Sequence, residues 1–263
     1  MPVHPKAQPF SFPGQGSGCL LVHGFTGSPP ELLPLGEYLA GCGCAVEAPL
    51  LAGHGTDIKD LSRTSWRDWL DSAKSGLKRL KSQPLERVFL IGLSMGGLLC
   101  LYLAQQECCR KQPAAGVVTL NSPIWLRDQR TRLAFWLRLA NRLNRAWFSE
   151  VNKHLRPVPR EQANALRFAY DTVSPAAVSQ LLGLILQVKK VLDRVKCPAL
   201  VIQSREDETV SPRSAEFIYR RLGSREKRLC WLEKSSHLLT LGPEAMQVFE
   251  AVEGFIRRQS ERN

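Results

Sequence analysis

Residues Gly92-Leu-Ser-Met-Gly96 stand between an apolar run, Arg87–Ile91, and a stretch with helical spacing, Met95–Glu107. A strand, a sharp turn and a helix in immediate succession leave few folds open, because the helix must double back over the strand that it follows. The flanking glycines remove the Cβ atoms that would collide where the two elements cross, and Gly97 adds another small residue on that side. A serine held on such a turn is exposed to a base and can become a nucleophile. The motif therefore predicts a nucleophile elbow with Ser94 at its tip.

The rest of the chain alternates short strands with helices, the pattern of a parallel sheet covered on both faces. Strands are expected at Cys19–Val22, Ala45–Glu47, Arg87–Ile91, Gly116–Leu120, Ala199–Gln203 and Lys227–Leu232. Helices are expected at Glu31–Ala40, Trp66–Leu80, Met95–Glu107, Ser211–Leu222 and Glu244–Arg258. Gly14-Gln-Gly16-Ser-Gly18 looks like a phosphate loop but precedes a strand, so it is read as a turn. Between Ser122 and about Leu192 the alternation stops. Leu133, Trp136, Leu137, Ala140, Leu143 and Trp147 form an apolar stripe at helical spacing, with Arg138, Arg142 and Arg145 on another face. Further helical pieces are expected at Glu161–Tyr170 and Pro175–Leu186. This divides the chain into a core, 1–121 and 193–263, and a helical cap, 122–192, over the catalytic edge.

The net charge of +12 raises the question of a polyanionic partner. Nine Arg and Lys residues against two acids lie between Arg127 and Arg160, so much of the excess belongs to the cap. No helix-turn-helix, zinc-finger or RNP pattern accompanies it, and a solvated cap face is expected in place of a nucleic-acid site. Of the eight cysteines, Cys42-Gly-Cys44 and Cys108-Cys109 are not C-x-x-C pairs and have no histidine at ligand spacing from them, and the others fall in or beside expected strands and helices, so structural thiols are expected, without a metal. The N-terminus lacks the pattern of a signal peptide. Leu181–Leu186 is short of the ~20 apolar residues that a span needs and is interrupted by Gly183, so no stable membrane insertion and a cytoplasmic location are expected.

A serine nucleophile needs a histidine base, and the base needs an orienting carboxylate. His4 lies in a Pro-rich terminus and His154 in the cap; His23 and His54 lie in Gly-rich loops that precede Ser94. His237 follows a late strand, where a base can reach over the elbow. Strand Ala199–Gln203 runs into three adjacent carboxylates, Glu206, Asp207 and Glu208; the spacing in this loop favours Asp207, with Glu206 second. The order Ser94, Asp207, His237 is one of the known triad orders. Two backbone N–H groups suit a developing oxyanion: Met95, at a helix N-terminus, and Phe25, in the loop after the first strand.

Leu21-Val-His-Gly-Phe-Thr-Gly27, Gly53-His-Gly55, Gly92-Leu-Ser-Met-Gly-Gly97, the Asp207 loop and Ser236-His237 together resemble the α/β-hydrolase superfamily. The closer similarity is to bacterial carboxylesterases and monoacylglycerol lipases, from Pro9 to Arg258. The cap is not well matched, and its Arg-rich helix departs from the pattern. The resemblance implies an α/β-hydrolase fold and cofactor-free hydrolysis of short- to medium-chain carboxylic esters through an acyl-enzyme. An acyl-CoA thioesterase and a ligand-sensing protein on the same fold are the alternatives. Trp125, Trp136, Leu137 and Leu238 are the expected lining of the substrate pocket.

Overall fold

The computed structural model describes residues 1–107 and 113–127, the backbone of 151–152, and residues 167–261. Its centre is a seven-stranded sheet built from β1 (Phe10–Phe12), β2 (Ser17–Val22), β3 (Ala45–Ala48), β4 (Arg87–Leu93), β5 (Gly116–Leu120), β8 (Ala199–Ser204) and β9 (Lys227–Leu232). The spatial order is β1-β3-β2-β4-β5-β8-β9. Only β1 is antiparallel, pairing Phe10 with Ala48; Cys19 faces Phe89 across β2 and β4, and Leu90 faces Val117 across β4 and β5. A two-residue ribbon, β6 (Val151–Asn152) with β7 (Thr172–Val173), lies apart from it.

Central parallel strands are covered on both faces and so need apolar residues at every position. In β2, Leu20 and Val22 enter one core cluster, while Cys19 and Leu21 enter the other; in β4, Leu90 does the first and Phe89 and Ile91 the second. The first cluster is closed by α3 (Trp66–Lys81) and α4 (Met95–Glu107), the second by α1 (Leu33–Gly41) and α6 (Ala245–Ser260). Helix α3 starts where the Ser65 N–H and hydroxyl both donate to Asp68 Oδ2 at 2.7 Å, which satisfies exposed donors and places a negative charge at the helix N-terminus. Its buried stripe, Trp66, Trp69, Leu70, Ala73, Leu77 and Leu80, follows the expected spacing.

Several elements differ from the sequence reading. Strand β1 and the short helix α2 (Ile58–Arg63) were not expected; each is too short to show a period. The expected helix from Glu31 begins as a 3₁₀ turn over Pro29–Leu32 and becomes α-helical at Leu33. Arg167–Tyr170, the described end of the helix expected at Glu161–Tyr170, is irregular. The piece expected at Pro175–Leu186 is longer: α5 runs from Pro175 to Val191, with Ser174 Oγ accepting from Ala177 N at 3.1 Å at its start. Together with the following turn it makes 20 residues, long and apolar enough to cross a membrane, which corrects the expectation that no stretch approaches that length. In this fold one side of α5 is in the core. Ala177, Leu181, Leu184 and Val188 belong to the first cluster, and the helix packs on α4, α2 and α3. Gly183 does not break it, because an isolated glycine weakens a helix without ending it.

Leu184 is fully buried and Leu186, half a turn on, is 47% exposed. Leu184→Ala should therefore cost about 2–5 kcal/mol of stability, whereas Leu186→Ala should stay within about 0.5 kcal/mol. Urea unfolding of both variants checks this, and equal losses would contradict the docking of α5 on the body.

Candidate active site

The C-terminal ends of β2, β4, β8 and β9 bring four loops to one edge of the sheet. Ser94 follows β4 directly, at φ 53°, in the left-handed region that costs a non-glycine residue energy. Its N–H donates to Leu120 O at 2.7 Å, and its carbonyl accepts from Gly97 N at 3.0 Å, so neighbours on both sides hold the turn. A Cβ at Gly92 would lie 2.2 Å from Gly96 C, and one at Gly96 would lie 1.9 Å from Val22 O. These are the collisions that the two glycines avoid.

Asp207 follows β8 and is fully buried, while Glu206 and Glu208 on either side of it are exposed. Its Oδ1 accepts from Thr209 N at 2.8 Å and Val210 N at 2.9 Å, and its Oδ2 accepts from Gln203 Nε2 at 3.3 Å. His237, after β9, sets Nδ1 at 2.9 Å from Asp207 Oδ2 and 3.1 Å from Oδ1. Because the carboxylate already accepts backbone N–H groups, His237 Nδ1 is the proton-bearing nitrogen of this pair. Nε2 is thereby the nitrogen left to act as a base. No hydrogen bond joins Ser94 Oγ to His237 among the described residues; such contacts are often long in the absence of substrate.

The loop after β2 comes up beside Ser94. A Cβ on Gly24 would sit 3.3 Å from Ser94 Cβ. Gly27 N donates to Gly24 O at 3.3 Å, closing a turn with Phe25 at its second position and Thr26 at φ 65°. Met95, the residue after the serine, opens α4. His23 is not a base here: Leu51 N donates to its Nε2 at 3.1 Å, its Nδ1 lies 2.9 Å from Gly24 O, and burial holds it neutral, well below the ordinary histidine range. His54 packs edge-on against His23 and Trp69.

A family model described as serine aminopeptidase, S33, matches residues 17–244. The chain belongs to that family of α/β-hydrolases. It is 35% identical over 249 residues to a thermostable monoacylglycerol lipase of Bacillus sp. (strain H-257), a match covering 95% of this chain and 94% of the relative. A carboxylesterase of Bacillus subtilis (strain 168) is 29% identical over 259 residues, covering 97% of this chain and 98% of that one. Among solved structures, one from a study of LipS and LipT, two metagenome-derived lipolytic enzymes, superposes with a TM-score of 0.85 at 32% identity, covering 98% of this chain and all of that one. The chain is thus a hydrolase of the lipase and esterase type.

In this α/β-hydrolase two competing effects act on His237. Burial lowers its pKa, but the charge and hydrogen bond of Asp207 outweigh burial, and Glu208 and Glu31 add to them, so the net shift is upward from the ordinary value. Of the residues expected to line a pocket, Trp125 lies shortly after β5, 36% exposed, with its ring 5.0 Å from that of Phe217. Leu238 is buried in the second core cluster, and Trp136 and Leu137 lie outside the described residues. Two clefts, of about 400 and 370 Å³, open at the opposite edge of the sheet, around Lys196, Pro198 and Arg225, and around Arg87 and Pro113. Neither includes Ser94, so they have no part in this site. The six cysteines among the described residues are free thiols.

The sequence reading passed over Asn121. It caps β5 at φ 47°, a region that asparagine tolerates better than most residues. Its Oδ1 accepts from Ser204 N at 2.8 Å, and its Nδ2 donates to His237 O at 2.9 Å and to Ser236 O at 3.2 Å. One side chain thus ties the acid strand to the histidine loop. The signal available beforehand was a polar residue with left-handed tolerance at the end of a largely apolar strand. Asn121→Ala leaves one buried and two partly buried backbone groups without this partner, and a loss of about 1–3 kcal/mol is expected. Turnover should fall as well; a thermal midpoint and kcat both unchanged would refute this bridge.

Proposed function

We propose that this α/β-hydrolase is a serine carboxylic-ester hydrolase for short- to medium-chain acyl esters. The observation that carries the reading is the buried Asp207 paired with His237 at the same sheet edge as Ser94 on its elbow. Ser94 Oγ attacks the ester carbonyl carbon while His237 Nε2 takes its proton. The tetrahedral oxyanion receives the N–H groups of Met95 and Phe25. Collapse of this intermediate breaks the C–O bond, and His237 returns the proton to the departing alcohol. Water, activated by the same histidine, then attacks the acyl-Ser94 ester and releases the acid.

The Bacillus relative named as a monoacylglycerol lipase favours a glycerol monoester as the physiological form of this substrate. In this reading the segment 122–192 is the cap, rooted in the body through α5, and its apolar stripe encloses an acyl tunnel for about four to ten carbons. Each added methylene should then raise kcat/KM by about fourfold, from ~0.8 kcal/mol per buried CH₂, until the tunnel is full. Comparing glycerol monoesters with methyl esters of equal chain length separates the lipase from a general esterase. Rates that still climb beyond sixteen carbons would refute the closed tunnel.

Ser94→Ala should abolish turnover of a chromogenic ester without loss of the fold; more than about a tenth of the wild-type rate would remove Ser94 from its role. His237 must be neutral to accept a proton, so activity is lost as pH falls through its pKa. Because that pKa is raised, the acid limb of kcat/KM should have its midpoint above the reference value of ~6.5. A profile flat to about pH 4.5 would contradict a histidine base.

A further inference from the structure

Glu31 is the point where three loops of the site meet. Its N–H donates to Ser28 O at 3.1 Å, and its carbonyl accepts the hydroxyl of Thr240, which lies just beyond His237. Its carboxylate accepts from Arg167 Nη1 at 2.6 Å, with both side chains largely buried. The same carboxylate lies against Gly27, where a Cβ would come within 2.2 Å of Oε2. Arg167 belongs to the segment that returns from the insertion, and its neighbours hold the same turn. Ser28 Oγ donates to Phe168 O at 2.6 Å, and Tyr170 N donates to Thr26 O at 3.0 Å. Thr26 at φ 65° is in a conformation that threonine keeps only when its surroundings impose it.

We propose that Arg167 is a positioning residue for the oxyanion loop: through Glu31 it holds the Gly24–Ser28 turn against Ser94, which makes the return of the insertion part of the catalytic apparatus. This rests on the esterase reading given above. A buried ion pair is a weak source of net stability, yet it constrains geometry strongly, because moving either partner leaves a charge without compensation. Here that constraint falls on the turn carrying Phe25 N–H, and a misplacement of about 1 Å at such a donor can cost ~10²-fold in rate.

The pair also has an electrostatic signature. The carboxylates acting on His237 are Asp207 and Glu208 from the loop after β8 and Glu31 from the loop after β2, and each favours the charged imidazole. Arg167 sets the opposite charge 2.6 Å from Glu31. Removing the arginine should raise the His237 titration, and neutralising the glutamate should lower it. A purely structural role would not produce shifts of opposite sign.

The test compares wild type, Arg167→Met, Arg167→Lys and Glu31→Gln on p-nitrophenyl butyrate, with thermal unfolding and NMR titration of His237 alongside. Arg167→Met should lower kcat about 10- to 100-fold with KM changed by less than about threefold, and Arg167→Lys should recover part of the loss. The His237 titration should move up in Arg167→Met and down in Glu31→Gln. If Arg167→Met does not fold, the double variant Arg167→Met/Glu31→Gln, which leaves no unpaired buried charge, carries the same expectation for kcat. A folded variant lacking Arg167 with kcat within about twofold of wild type, or titrations that do not diverge, overturns the proposal. Wild-type protein without ester turnover would instead overturn the esterase reading, and the NMR arm still decides whether Arg167 and Glu31 act on His237.

Discussion

The sheet edge that carries Ser94 depends on how closely α4 can lie against β2 and β4. A side chain at position 96 would start 1.9 Å from the carbonyl oxygen of Val22, so only glycine permits the approach. That approach brings the N-terminus of α4 and the loop after β2 to the same side of Ser94. It also forces the backbone at the elbow into the left-handed region. Among the described residues, the non-glycine positions with positive φ are Thr26, Ser94 and Asn121, which follow β2, β4 and β5 on this one edge. Local strain of about 1–3 kcal/mol at each is sustained by hydrogen bonds from neighbouring loops, and it is concentrated where side chains and N–H groups must be aimed.

Two buried carboxylates organise the rest of the edge in different ways. Asp207 is held by backbone N–H groups of its own loop, so its position is set locally and His237 is oriented against a fixed acceptor. Glu31 is held across the fold, by the guanidinium of Arg167. The first arrangement suits a group that must not move during proton transfer. The second ties the turn at Phe25 to a residue far along the chain. A third carboxylate, Glu244, accepts from Glu233 N, Lys234 N and Ser235 Oγ and anchors the start of the histidine loop. Its hydrogen bonds outweigh the effect of burial, so its pKa is lowered and it is ionised at neutral pH.

Legibility in the sequence followed the length and burial of each element. The strands around Leu20, Leu90 and Val118 were readable because parallel strands covered on both faces must be apolar throughout. Helix α3 was readable from its stripe, and α4 from its place after the elbow. Strand β1, three residues long at the sheet's edge, has too little pattern to detect, and it is the antiparallel member of the sheet. Helix α5 was expected to end at Leu186, whereas packing on α4 accompanies its continuation to Val191. Arg167–Tyr170 has helical spacing but is irregular, since its backbone is committed to Thr26 and Lys6.

Taken alone, the amino-acid sequence determined the α/β alternation, the elbow at Ser94 and the candidacy of His237, because these rest on local spacing and on residue types that few other contexts require. It narrowed the acid to three adjacent carboxylates. Tertiary structure set these three apart by burying Asp207 against His237, 30 positions away, and leaving its two neighbours in solvent. It also decided the roles of Asn121, whose partners lie 83 and 116 positions on, and of Glu31, whose partner Arg167 lies 136 positions on. Contacts over such distances leave no periodic trace in a chain. They exist only once the sheet has folded and gathered its loops at one edge.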